Sequence, residues 1–118
     1  MAKSVLIVDD HPSFRASARR MLEASGYNVI GEAEDGAAAI EAARRLRPEA
    51  VLLDVRLPDI DGFEVARRML DLADRDLQIV LTSSHESSDL GDAIGASGAR
   101  GFIPKAELSG GAVTAVLG

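Results

Sequence analysis

Residues 50–65 read AVLLDVRLPDIDGFEV: an aliphatic run that ends in Asp54, followed by Pro58 and an Asp61-Gly62 pair. Four apolar residues in succession, bounded by turn signals, suit a strand covered on both faces, as in a parallel sheet. A carboxylate leaving such a run is either strand fraying or the centre of a site. The other runs decide between the two. SVLIVDD (residues 4–10) also ends in aspartate, and LQIVLTSS (77–84) ends in hydroxyls. YNVIGEA (27–33) alternates more and belongs nearer an edge, and RGFIPK (100–105) makes a fifth strand.

Helical patterns separate these strands. Pro12 suits a first helical position, Phe14, Ala18, Met21 and Leu22 share a face, and Gly26 closes the helix. Asp35 is the expected cap of a helix over 36–47 with Ile40, Ala43 and Leu46 inward, stopped by Pro48. A third helix over 62–73 places Phe63, Ala66, Met69 and Leu70 on one stripe. The stretch SSDLGDAIGASGA (87–99) contains three glycines, each costing about 1 kcal/mol in a helix interior, and only a short helix is expected, over 88–97. A last short helix starts at Ser109. Alternation of strands and helices implies βαβ units with right-handed crossovers: an α/β, doubly wound, five-stranded parallel sheet in a three-layer α/β/α sandwich.

Composition bounds the function. With 118 residues, 47% hydrophobic and 27% charged, the chain fits one ordered domain. It has no run of apolar residues long enough to span a membrane, and the apolar stretch at the amino end is too short for a signal-peptide core. Cysteine is absent, which excludes disulfides and thiolate metal sites and fits a cytoplasmic location. A net charge of −6 disfavours binding to DNA or anionic membrane.

In doubly wound sheets, ligands sit beyond the carboxyl ends of the strands. Asp9, Asp10, Asp54, Thr82 and Lys105 all fall at such ends. Clustered carboxylates repel unless a cation intervenes, and oxygen donors select a hard ion such as magnesium. With Lys105 as a fixed positive charge and Thr82 as a hydroxyl donor, the set fits a phosphoryl group, and Asp54 is the natural nucleophile. Alone, each residue has a plainer reading: the double aspartate as a loop start, Thr82 as part of a polar turn, Lys105 as a surface lysine. His11 and His85 read as solvated loop residues, assigned to neither metal nor catalysis. Four strands ending in complementary groups argue for the joint reading.

From Ser4 to about Lys105 the chain resembles the receiver domain of two-component response regulators. The resemblance is carried by VLIVDDHP, LLDVRLPDIDGFEV, IVLTSS and GARGFIPK. It implies the flavodoxin-like strand order 2-1-3-4-5. Asp54 would accept a phosphoryl group from a histidine kinase or phosphotransfer protein. Asp10, Asp54 and the Arg56 carbonyl would hold magnesium, with Asp9 helping through water. Lys105 would pair with the phosphoryl group, Thr82 would swing to bond it, and Phe102 occupies the place of the family's switch aromatic. The wording of DDHP and GFIPKAEL is most similar to regulators that elsewhere carry a helix-turn-helix output domain. Residues 1–118 are expected to be a single receiver without an effector domain, stand-alone or excised, monomeric or weakly dimeric, and binding no DNA itself. No enzyme activity is expected beyond self-phosphorylation and autodephosphorylation.

Three rivals differ in specific features. A magnesium-dependent aspartyl-phosphate hydrolase wants Asp-x-Asp on the first strand, and this strand ends in adjacent aspartates. A flavodoxin-like cofactor binder wants a phosphate loop in place of DDHP. A receiver-like interaction module that works without phosphorylation would have lost a site residue, and none is missing.

Overall fold

The computed structural model describes residues 2–84 and 91–118. Outside them lie His85 and residues 88–90 of the expected fourth helix. Among the described residues five strands alternate with five helices: β1 (Ser4–Val8), α1 (Pro12–Ala24), β2 (Asn28–Ala33), α2 (Gly36–Leu46), β3 (Ala50–Asp54), α3 (Gly62–Leu72), β4 (Gln78–Ser83), α4 (Gly91–Ser97), β5 (Gly101–Pro104) and α5 (Gly110–Leu117). All strand pairs are parallel, in the order β2-β1-β3-β4-β5. The alternating YNVIGEA segment is at an edge, as its pattern implies. No described helix is long and apolar enough to cross a membrane.

The sheet is buried on both faces, and strand alternation sorts its side chains between two layers. Leu6, Val8, Val51, Leu53, Ile79 and Leu81 pack against Ala39, Ala43, Phe63, Ala66 and Met69 of α2 and α3. Their neighbours Val5, Ile7, Ala50, Leu52, Val80 and Ile103 pack against Ala18 and Leu22 of α1 and Val113 and Leu117 of α5. This is why the aliphatic runs are continuous: both sides of each strand must be apolar.

Helix ends follow local chemistry. Pro12 opens α1, and Gly26, at φ 92°, takes the left-handed conformation just past its end. Asp35 accepts a hydrogen bond from the Ala38 N–H at 2.8 Å, and Ser109 does the same for Ala112 at 3.0 Å. The second helix stops at Leu46, one residue short of expectation. Arg47 turns left-handed at φ 53° because Pro48 disfavours a helical residue before it. A single 3-10 turn, Lys105–Glu107, follows β5 and has no counterpart in the sequence reading.

Candidate functional site

Strand register brings the acidic residues together. Val8 pairs with Leu53, so the residues that follow, Asp9 and Asp54, emerge side by side at the carboxyl edge of β1 and β3. Asp54 pairs in turn with Thr82, and Thr82 with Ile103, two residues before Lys105. Alternation assigns their faces as well. Asp9, Asp54, Thr82 and Lys105 continue the series Ile7, Leu52, Val80 and Ile103, which faces the α1 and α5 layer. Strand order reverses between β1 and β3, which is the place where this architecture builds ligand sites.

Lys105 bridges the pair: its Nζ lies 2.7 Å from Asp9 Oδ2, in an ion contact, and donates to Asp54 Oδ2 at 3.4 Å. The Phe14 ring of α1 sits under the same ammonium, 4.3 Å from centroid to Nζ. Asp9 is fully buried and Asp54 is 3% exposed, whereas Asp10 stands at the surface. Burial alone would raise the Asp9 carboxyl, but Lys105 and the His11 backbone and ring outweigh it and hold Asp9 below the ordinary carboxylate range. For Asp54, burial prevails: with the Asp9 charge it outweighs the Arg56 N–H and Lys105, and pushes the carboxyl up. Burial opposes the charge on Lys105, yet Asp9 and Asp54 together raise its affinity for a proton. One ammonium thus serves two carboxylates unequally, and Asp54 is the less stabilised of the two.

The loop after β3 explains its own acids. The Arg56 N–H donates to Asp54 Oδ1 at 3.1 Å, which fixes one carboxylate oxygen, while the Arg56 side chain is exposed. Asp59 reaches across to α2 and accepts from the Gly36 and Ala37 N–H groups at 2.7 and 2.9 Å. Asp61 caps α3 through the Phe63 N–H at 2.7 Å. Gly62 must lack a side chain, because a Cβ would stand 2.4 Å from the Asp54 carbonyl oxygen. On the other strand, Arg15 Nη1 donates to the Asp9 carbonyl at 2.6 Å and its Nε binds Glu32 at 3.0 Å, tying α1 and β2 to the acidic edge.

Thr82 is fully buried, and its Oγ1 has no hydrogen-bond partner among the described residues. Phe102 is half-buried on the opposite face of the sheet, against the layer that contains α4. The two residues expected to act together therefore do not share a layer. His11 is the solvated residue expected, with contacts that the sequence reading did not assign. It is solvated, with 65% of its side chain exposed, but its Nδ1 lies 2.9 Å from Asp9 Oδ1 and 3.0 Å from Asp10 Oδ1. Its position directly after the acidic pair was the available signal. Asp9, Asp10, His11 and Asp54 each offer a ligand atom within 4.8 Å of the others.

A doubly wound parallel sheet with a carboxylate–lysine cluster at its switch point defines a class of phosphoryl- or nucleotide-type sites, and comparison with known proteins narrows it. The chain belongs to the response regulator receiver domain family, whose model matches residues 5–115. It is 40% identical over 116 residues to the transcriptional regulatory protein NarL of Mycobacterium tuberculosis, covering 96% of this chain and 52% of that protein. It superposes on the structure of the NarL signal receiver domain from the same species with a TM-score of 0.86, at 34% identity and 99% and 98% coverage. It also superposes on CheY of Borrelia burgdorferi, in a complex described as CheX-CheY-BeF3-Mg, with a TM-score of 0.85, 25% identity and 98% and 86% coverage. The chain spans about half the length of the curated relatives it matches. Receivers of this family are signalling units of two-component systems rather than classical enzymes.

Proposed function

We propose that the chain is a phosphorylation-switched receiver in which Asp54 takes a phosphoryl group from a histidine kinase or phosphotransfer protein. The observation that carries this reading is the unequal bridge of Lys105 between Asp9 and Asp54. The less stabilised carboxylate is the better nucleophile, and its partner is neutralised at closer range. An Asp54 oxygen attacks phosphorus, the bond from phosphorus to the donor breaks, and an acyl phosphate forms on Asp54. Lys105 Nζ, already beside Oδ2, remains to balance the added charge, and the Arg56 N–H steadies Oδ1.

The donor set fits magnesium: carboxylate oxygens from three residues, one of them the fully buried Asp9. In our reading Asp10, Asp54 and the Arg56 carbonyl hold the ion, and Asp9 acts through water. Bound there, magnesium supplies charge neutralisation for the phosphoryl oxygens. The buried Thr82 hydroxyl gains its missing partner when a phosphoryl oxygen arrives. Its movement pulls on the end of β4, and Phe102 and α4 respond. The chain acts through protein contacts, as a monomer or weak dimer, and binds no DNA itself.

The test is incubation with acetyl phosphate and magnesium, read by intact mass. One phosphoryl group should be added, lost again in hydroxylamine or alkali, and absent from Asp54→Ala. A label that survives in Asp54→Ala overturns the assignment.

A further inference from the structure

We propose that Arg15 is a positioning residue for the cation site: through the Asp9 carbonyl it orients the Asp9–Asp10 peptide, and so sets how tightly the Asp10 carboxylate takes magnesium. The inference rests on the metal reading above and extends it beyond the acidic residues to α1. Asp9 and Asp10 are held unequally. Asp9 is fully buried, with Lys105 Nζ 2.7 Å from its Oδ2, whereas Asp10 stands at the surface and its ion contact is with His11, an exposed side chain. The placement of Asp10 therefore depends on its backbone. A peptide group is planar, so the Asp9 carbonyl and the Asp10 N–H and Cα move as one plate. Arg15 Nη1 donates to that carbonyl at 2.6 Å, a charge-assisted bond that fixes the plate from the side of α1.

The guanidinium is itself held. Its Nε donates to Glu32 Oε1 at 3.0 Å, and Arg19 Nε, one turn further along α1, donates to Glu32 Oε2 at 2.9 Å. Burial would raise the Glu32 carboxyl, but Arg19 and Arg15 outweigh it and keep the group below the ordinary carboxylate range, so the ion pair is intact at neutral pH. Glu32 lies one residue before the end of β2, and the Ala33 carbonyl beside it accepts from the Asp9 N–H at 3.0 Å. The Asp9 backbone is thus gripped by β2 twice, directly at its N–H and through Arg15 at its carbonyl. An arginine fork serves a carboxylate and a carbonyl at once, and a lysine ammonium lacks that fork. Charge alone would act in the opposite direction. A bare positive group this near the cluster repels a cation, so deleting it would tighten magnesium binding, whereas deleting a positioning group weakens it.

The experiment measures magnesium affinity of the unphosphorylated chain by calorimetry, and the magnesium dependence of phosphorylation by acetyl phosphate. Arg15→Ala should bind magnesium about tenfold more weakly than wild type. Its phosphorylation should be slow at low magnesium and return to within about twofold of wild type once the metal saturates, since no group at the phosphorus is touched. Arg15→Lys, which keeps the charge, should recover only part of the affinity. Arg19→Ala is the control: it also breaks an ion pair with Glu32 but leaves the Asp9 carbonyl bonded, so its magnesium affinity should match wild type. Unchanged or tighter binding in Arg15→Ala overturns the proposal. Equal weakening in Arg19→Ala does so too, because Arg15 would then be a staple between α1 and β2 and nothing more. Should Arg15→Ala fail to fold, Arg15→Lys decides: wild-type affinity there overturns the proposal, and a several-fold loss upholds it. If the wild-type chain binds no magnesium, or Asp54→Asn binds it as tightly as wild type, the metal reading falls and this inference with it. If Asp54→Asn weakens binding and the Arg15 variants do not, the metal reading stands and this inference alone fails.

Discussion

Gly62 lies against the backbone of Asp54 so closely that a single methyl group on it would stand 2.4 Å from the Asp54 carbonyl oxygen and 2.5 Å from Val55 Cα. Backbone on both sides cannot yield as a flexible side chain would. Gly62→Ala should therefore cost about 1–3 kcal/mol of stability and displace the carboxylate it abuts. Chemical denaturation and the rate of phosphorylation by acetyl phosphate measure the two effects. An alanine variant with wild-type values in both would mean the loop relaxes freely.

Asp59 tethers the same loop to α2, and its pH dependence has a definite sign. Hydrogen bonds from the Ala37 and Gly36 N–H groups hold its carboxyl below the ordinary value of 3.8. A lowered folded value means that its contribution is complete above 3.8 and disappears as pH falls through the folded value. Asp59→Ala should be less stable than wild type at neutral pH, and the gap should close in strong acid. Denaturant midpoints at both conditions decide it, and a gap that persists in acid would assign the loss to packing.

Phe14 should tune Lys105 through its ring rather than its bulk. With Nζ 4.3 Å from the centroid in a partly buried site, the contact is worth about 0.5–2 kcal/mol. Phe14→Leu should slow phosphorylation several-fold, and Phe14→Tyr should restore most of the rate. Equal rates in the two variants would exclude the cation–π contribution.

Among the described residues the buried Thr82 hydroxyl has no partner, a condition that costs about 1–3 kcal/mol. Thr82→Val keeps the shape and removes the cost, so the unphosphorylated chain should be as stable as wild type or more so. Phosphorylation should still proceed on Asp54, but the accompanying change in hydrogen exchange over 84–104 should shrink. A full change in Thr82→Val would remove Thr82 from the switch.

The architecture and the membership of the cluster were legible because both follow from local signals. Aliphatic runs of strand length mark the sheet, and Asp9, Asp54 and Thr82 are the residues at which those runs turn polar. Asp35 was readable as a cap because it serves an N–H three residues ahead, and Ser109, read as the start of the last helix, proves to be its cap in the same way. Asp59 was not, since the N–H groups it serves lie 22 and 23 residues away on α2. The preference of Lys105 for Asp9 over Asp54 likewise depends on differences of less than an ångström that only packing sets. The separation of Thr82 and Phe102 onto opposite layers could have been read from register, had the pairing of Leu81 with Phe102 been known.

The central position of β1 has a consequence for how the chain assembles. Val5 pairs with both Val29 and Ala50, so β1 has no second neighbour until β3 has formed. Asp9 and Asp54 stand together once β3 is paired, while Lys105 follows β5 at the far edge of the sheet. Any partly folded form lacking β5 carries two adjacent carboxylates with no countercharge from the chain. Such a form is penalised by the mutual repulsion of the two carboxylates, and the penalty favours an all-or-none transition.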